Sequence, residues 1–152
     1  MVTLLVALAL IGSQQSQFPD VVRPHADFAN ARTFRCNFAQ GEGRDSFTSP
    51  LTRISDGALG ELVFDNIDYT KATARLIGNI GSSDVHVIDG DLGVTFIEVT
   101  SVGGVAVTTI FKGASDGPPV AMSFRAVSSR HIARTLGGET ASQHYGTCKA
   151  LL

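Results

Sequence analysis

The residues best suited to chemistry lie near the end of the chain, in two polar stretches over 128–134 and 142–147. Arginine presents a planar fork of donors that suits a carboxylate, and a protonated histidine also donates hydrogen bonds. These stretches predict a binding site for an anionic ligand, whose candidate residues are Arg130, His131, Arg134, Gln143, His144 and Tyr145. The structural alternative is that Arg130 and Gln143 fasten the last loop and strand to the rest of the fold.

The spacing of the histidines gives no metal motif. His25, His86, His131 and His144 form neither an H-x-x-H nor an H-E-x-x-H pattern, so a metal site would have to be assembled by the fold. An enzyme would need His131 and His144 to converge, with Glu98 as a further acid, base or ligand, because acid–base chemistry requires hydrogen-bonding reach. We therefore predict no catalytic residue, no metal and no cofactor.

Three glycine-rich stretches imitate functional motifs. Residues 113–117 match the G-x-S-x-G pattern of a hydrolase elbow, which needs a strand that turns sharply into a helix. Pro118 and Pro119 follow instead, and then another predicted strand, so this stretch predicts a hairpin loop. Residues 41–44 and 57–60 open no helix whose N-terminus could hold a phosphate, and we predict turns there.

From Phe34 onward, short runs of alternating apolar and polar residues are separated by Gly, Asp and Ser clusters. These runs predict strands near 34–39, 46–54, 61–69, 72–79, 84–89, 92–100, 105–112, 120–129 and 143–149. A change of phase after Phe64 predicts a bulge near Asp65 and Asn66. The predicted fold is all-β: an antiparallel up-and-down meander of about eight strands, closed or nearly closed into a lipocalin-like barrel, with a β-sandwich as the alternative.

The same alternation predicts which side chains fill the barrel. We expect the interior to contain Val94, Phe96, Val107, Phe111, Met122 and Phe124. A barrel of this size either packs its interior with its own side chains or leaves space for one small ligand, and the sequence permits both.

The length of 152 residues fits one domain. Residues 1–17 begin with an uncharged apolar run, Met1 to Ile11, which resembles a signal peptide and is too short to span a bilayer. We predict that residues 18–33 form an irregular N-terminal arm and that residues 34–152 form the β domain. The expected location is secreted or periplasmic, without stable membrane insertion once the leader is removed.

The chain has two cysteines, Cys36 and Cys148, near the two ends of the predicted β domain. In an exported protein such a pair predicts one structural disulfide, because a redox dithiol usually has the C-x-x-C spacing. The bond would close a loop of more than a hundred residues, worth about 4 kcal/mol in the chain-entropy model.

A net charge of −2, from 12 basic and 14 acidic residues, gives no electrostatic case for a nucleic-acid or anionic-membrane partner. The leading hypothesis is a non-enzymatic binding module for a small apolar or anionic ligand. The alternative is an interaction scaffold in the periplasm or at the cell surface, which an exposed cluster of Ile97, Val99 and Ile110 would favour. A hydrolase or metal-dependent enzyme using His131 and His144 is the third.

The end of the chain also carries a pattern of its own. Ser129-Arg130-His131 and the later S-Q-x-Y-G-x-C over 142–148, with a preceding strand over 96–100, resemble small secreted bacterial β proteins. The resemblance covers roughly the last sixty residues. It implies export and a disulfide-bonded β domain, and it implies no activity or ligand.

Overall fold

The computed structural model describes residues 26–45, 52–115, 123–133 and 138–152. Within them the chain forms one short helix and ten antiparallel strands. The elements are α1 (Ala26–Asn30), β1 (Thr33–Phe38), β2 (Gly41–Asp45), β3 (Thr52–Asp56), β4 (Gly60–Asp68), β5 (Thr73–Gly78), β6 (Gly81–Asp89), β7 (Gly93–Val99), β8 (Val105–Ser115), β9 (Ser123–Ala133) and β10 (Glu139–Leu151).

Eight of the strands close a barrel. The order is β1-β4-β5-β6-β7-β8-β9-β10, and β10 pairs back with β1. From β4 to β10 each strand pairs with the next one along the chain, which is the outcome of sequential hairpins. The predicted antiparallel barrel is confirmed, and the β-sandwich alternative is excluded.

Strands β2 and β3 extend the barrel wall at one end. β10 pairs with β1 over its second half and with β2 over its first half, and β3 then pairs with β2. We predicted turns at 41–44, and this is wrong. Cβ atoms added at Gly41 and Gly43 would lie 2.5 and 2.6 Å from the carbonyl oxygens of Gln143 and Ala141. Glycine, usually depleted in strands, is here what lets β2 approach β10.

The disulfide Cys36–Cys148 joins β1 to β10 where the barrel closes. The two residues are directly opposite in the strand register, with Cα atoms 3.9 Å apart, and both are fully buried. The predicted bond is confirmed. Because it links positions 112 residues apart, it holds together the first and last strands of the barrel.

Aromatic side chains fill the end of the barrel at which β1 begins. Phe28 of α1 caps this end, with its ring 5.0 Å from that of Phe34 and 4.9 Å from that of Phe124. Deeper in the barrel, Phe64 and Phe96 stack with centroids 4.2 Å apart. We predicted an irregular arm over 18–33; its described part instead forms α1 and the start of β1, because Phe28 is buried in the core.

The predicted bulge in β4 is confirmed. The β4–β5 register shifts between Asp65 and Asp68, and Asn66 takes a positive φ of 52°. The extra residue changes the phase of the strand, so that Phe64 and Ile67 are both buried.

The predicted interior is only partly right. Val94, Phe96 and Phe124 are buried in the core, and Met122 lies outside the described residues. The phase predicted for β8 is wrong: Phe111 is 40% exposed and Val107 is partly buried on the outer side. The inward residues are Thr108 and Ile110, which pair with the buried Ser128 and Ala126 of β9. Both faces of β8 carry β-branched residues, so apolar character alone does not fix its phase.

Candidate functional site

A cavity of about 470 Å³ enters the barrel at the end opposite α1. Its rim includes Ala58, Leu59 and Ile80, which lie in the connections β3–β4 and β5–β6, and it reaches inward to the stacked rings of Phe64 and Phe96. The volume falls within the range of about 300–1,000 Å³ typical of small-molecule sites. The cavity is therefore large enough for one small ligand.

The two sides of the cavity differ in polarity. The side formed by strands β4 to β7 is apolar in the barrel interior, with Leu62, Phe64, Leu76, Val85 and Phe96, and carries Ser82, Ser83 and Glu98 towards the mouth. The other side is polar and is formed mainly by β8 and β9, with Thr108, Ser128 and Arg130. Thr108 donates a buried hydrogen bond of 3.0 Å to Ser128 Oγ, so this pair is satisfied within the wall. The cavity suits an amphipathic molecule.

Opposite charges stand at one level of the cavity mouth. Glu98 pairs with Ala106 in the β7–β8 register, and Ala106 pairs with Arg130 in the β8–β9 register. All three side chains line the cavity, and Ser83 donates a 2.6 Å hydrogen bond to Glu98 Oε1. The small side chain of Ala106 leaves the space between the acid and the base open.

Behind Arg130, the buried His144 contacts Asp56. His144 is 0% exposed; its Nε2 lies 3.1 Å from Asp56 Oδ2, and its Nδ1 lies 3.2 Å from the carbonyl oxygen of Ala39. Both ring nitrogens of His144 therefore lie within hydrogen-bond distance of an oxygen atom. Arg130 Nη1 lies 3.8 Å from the same Asp56 oxygen. The contact joins the outer strand β3 to the barrel wall.

Gly41 makes this contact possible. In the sheet register it stands opposite Asp56, and a Cβ on Gly41 would lie 2.5 Å from the Nδ1 and Cε1 atoms of His144. Any side chain there would occupy the space across which Asp56 and His144 meet.

The surroundings of Asp56 favour its ionised form. Burial raises the pKa of Asp56, but hydrogen bonds to Ser142 and His144 and the charges of His144 and Arg130 together outweigh it. The pKa of Asp56 consequently lies below its ordinary value of 3.8. We expect Asp56 to be a carboxylate at neutral pH.

The predicted site residues separate onto two sides of the wall. Arg130 faces the cavity and His144 is buried behind it, whereas His131, Gln143 and Tyr145 lie on the outer side, because successive residues of a strand face opposite ways. The outer three border a shallow open depression, in which Tyr145 Oη donates a 3.2 Å hydrogen bond to Gln143 Oε1. Arg134 lies outside the described residues.

Sequence reasoning missed Asp56, Ser83 and Thr108 as site residues, and it included Ser128 only as part of the polar stretch 128–134. A usable signal was present in β9 and β10, where polar residues recur at every second position instead of apolar ones. Ser128 and Arg130 follow this period, as do Thr140, Ser142 and His144. Five polar residues are buried in the described part of the chain, and they lie on β8, β9 and β10: Thr108, Ser128, Thr140, Ser142 and His144.

The residues of the enzymatic hypotheses do not come together in the structure. His131 and His144 lie on opposite sides of the sheet, and Ser142 and Asp56 both approach the same nitrogen of His144, unlike the relay of a catalytic triad. Among the described residues no group of three or more His, Cys, Asp or Glu side chains is placed to hold a metal ion. Ser115 of the G-x-S-x-G match belongs to β8 and not to a helix.

The exposed apolar cluster that would favour an interaction scaffold is not formed on the outer surface. Val99 is exposed, but Ile110 is fully buried, so the apolar outer cluster of Ile97, Val99 and Ile110 does not form. In the described ranges no helix is long and apolar enough to cross a membrane.

Comparison with known proteins gave no matching family model, no matching curated protein and no matching solved structure. Inferences about function consequently start from the cavity and its residues.

Proposed function

We propose that the protein is an exported, non-enzymatic binding protein that holds a small amphipathic molecule inside its barrel. The observation that carries the proposal is the cavity of about 470 Å³, with one apolar side, one polar side and a charged mouth. An apolar body would lie against Phe64 and Phe96, and a polar group would remain near Arg130 and Glu98.

The distribution of side-chain size supports a cavity over a packed interior. At the end capped by α1, large aromatic rings contact one another across the barrel. Towards the other end, Gly78, Ser83, Ala106 and Ser128 line the cavity, and these small residues leave space. A barrel of eight strands is wide enough to hold one small ligand when its interior is not filled.

Export forms the second part of the proposal. The disulfide Cys36–Cys148 is compatible with an oxidising compartment, in which such bonds persist. The apolar run Met1 to Ile11 adds a signal-like feature. A secreted or periplasmic binding protein would meet its ligand there.

A fluorescence titration with 11-(dansylamino)undecanoic acid tests the proposal, because this probe combines a long apolar body with a carboxylate. The test variant is Ala106→Phe, which places a ring in the cavity; the control is Val107→Phe, at the next position on the outer side of the same strand. We expect saturable binding to the wild type and to Val107→Phe, and at least tenfold weaker binding to Ala106→Phe. Equal binding to all three would place the probe outside the cavity and contradict the proposal.

A further inference from the structure

We infer that the ligand is an amphiphile whose head carries both an anionic and a cationic group, as an α-amino acid does. The inference rests on the proposed function and deepens it by naming the class of ligand. It is carried by the placement of Glu98 and Arg130 at one level of the cavity mouth, on either side of Ala106.

The spacing of the two charges sets the size of the head. Glu98 and Arg130 stand two strands apart, and adjacent strands are about 4.8 Å apart, so their side chains start about 9.6 Å apart. Both side chains are long enough to extend inward over this distance, so one small head group can contact both of them. A carboxylate and an ammonium on one carbon, or on neighbouring carbons, would bring one charge to each of the two residues.

Arg130 retains donors for a ligand. Its approach to Asp56, at 3.8 Å, is longer than a direct hydrogen bond, and Asp56 is itself in contact with His144. A guanidinium group has five N–H donors and suits two-point contact with a carboxylate. The anionic end of the head would therefore bind Arg130.

The carboxylate of Glu98 would bind the cationic group of the head. Its partner Ser83 is a neutral hydroxyl, so the negative charge of Glu98 faces the cavity without a cation supplied by that contact. A head with only a carboxylate would place a negative charge near Glu98. A head with only an amine would place a positive charge near Arg130. A head with both groups avoids both repulsions, while its tail follows the apolar side formed by β4 to β7.

Calorimetric titration with three molecules of equal chain length tests the inference: dodecanoic acid, dodecylamine and 2-aminododecanoic acid, each below its micelle concentration. We expect wild-type protein to bind 2-aminododecanoic acid about tenfold more tightly than either single-charge compound, because its head makes one more charge-assisted hydrogen bond. In Glu98→Gln the preference over dodecanoic acid should disappear. In Arg130→Gln the preference over dodecylamine should disappear.

Matched controls lie on the outer surface of the same barrel. Glu61→Gln removes an exposed acid of β4, and Arg125→Gln removes an exposed base of β9, so both should keep the wild-type preference. Equal wild-type affinities for dodecanoic acid and 2-aminododecanoic acid, or an unchanged preference in Glu98→Gln, would overturn the inference about the head while leaving a binding barrel. Absence of binding by all three compounds and by the dansyl probe would instead overturn the proposed function.

Discussion

The contact between Asp56 and His144 is predicted to stabilise the fold, and Asp56→Asn is the change that isolates its charge. The substitution keeps the shape of the side chain and removes the carboxylate that lies 3.1 Å from His144 Nε2. A hydrogen bond to a charged group contributes about 1.5–3 kcal/mol net. The Arg130 contact is partly exposed and 3.8 Å long, so it adds at most about 1 kcal/mol. We expect a loss of about 2 kcal/mol at pH 7.

The predicted loss depends on pH in a defined direction. Since the pKa of Asp56 in the folded protein lies below 3.8, the carboxylate contributes stability above that value, and the contribution disappears as the pH falls through the folded-state pKa. Asn mimics the protonated acid. The difference in unfolding free energy between wild type and Asp56→Asn should therefore be full near neutral pH and should begin to shrink only as the pH falls below about 4.

Urea unfolding at several pH values measures this difference, with the disulfide intact in every sample. For a urea dependence of about 2 kcal/mol per molar, the expected loss lowers the midpoint by about 1 M at pH 7. Glu61→Gln is the matched control, because Glu61 is an exposed acid 3.8 Å from Arg35, and its loss should change stability by less than about 0.5 kcal/mol. An unchanged midpoint in Asp56→Asn at pH 7, or a difference that stays constant as the pH falls below about 4, would refute the reasoning.

Three further changes test how the barrel is held together. Replacing Cys36 and Cys148 together by Ser should lower the free energy of unfolding by about 2–5 kcal/mol, measured by urea unfolding; no loss would show that the closed end-to-end pairing needs no covalent bond. Gly41→Ala should lower the thermal midpoint by several degrees because its Cβ would lie 2.5 Å from His144, whereas Gly57→Ala, with nothing within 4 Å, should not; equal midpoints would contradict this packing. Phe28→Ala should cost about 3–5 kcal/mol of unfolding free energy, and a loss below about 1 kcal/mol would mean that α1 does not cap the core.

The sequence predicted most of the barrel because its signals are local. Period-two alternation and turn residues define β4 to β10, and the position of the cysteines predicted the bond that closes the barrel. Strand β2 was not predicted, because glycines in a sequence usually indicate a turn. The role of these glycines is to let β2 approach β10 closely, and this depends on a strand that is distant in the sequence. The phase of β8 was wrong because Val107 and Phe111 are as apolar as Ile110, and only pairing with β9 decides between them.

The candidate site was harder to predict than the fold. The dense polar segment contains Arg130 and His144, which lie on the inner side of the wall, but every second side chain of a strand faces the other surface, so His131 and Gln143 do not join them. Asp56 lies 88 residues from its partner His144, and no local pattern connects the two. Such pairs are fixed by register across several strands, which a single sequence does not display.

The most direct test of a ligand in the barrel is native mass spectrometry of the protein purified after export without denaturation. We predict a mature chain that lacks the two thiol hydrogens of Cys36 and Cys148 and carries a small organic molecule, and we predict that Ala106→Phe, purified in parallel, carries none. Two results would contradict the account of a ligand-binding cavity. One is a wild-type protein that carries no organic molecule and also binds no added amphiphile; the other is an Ala106→Phe variant that carries the same molecule in the same amount.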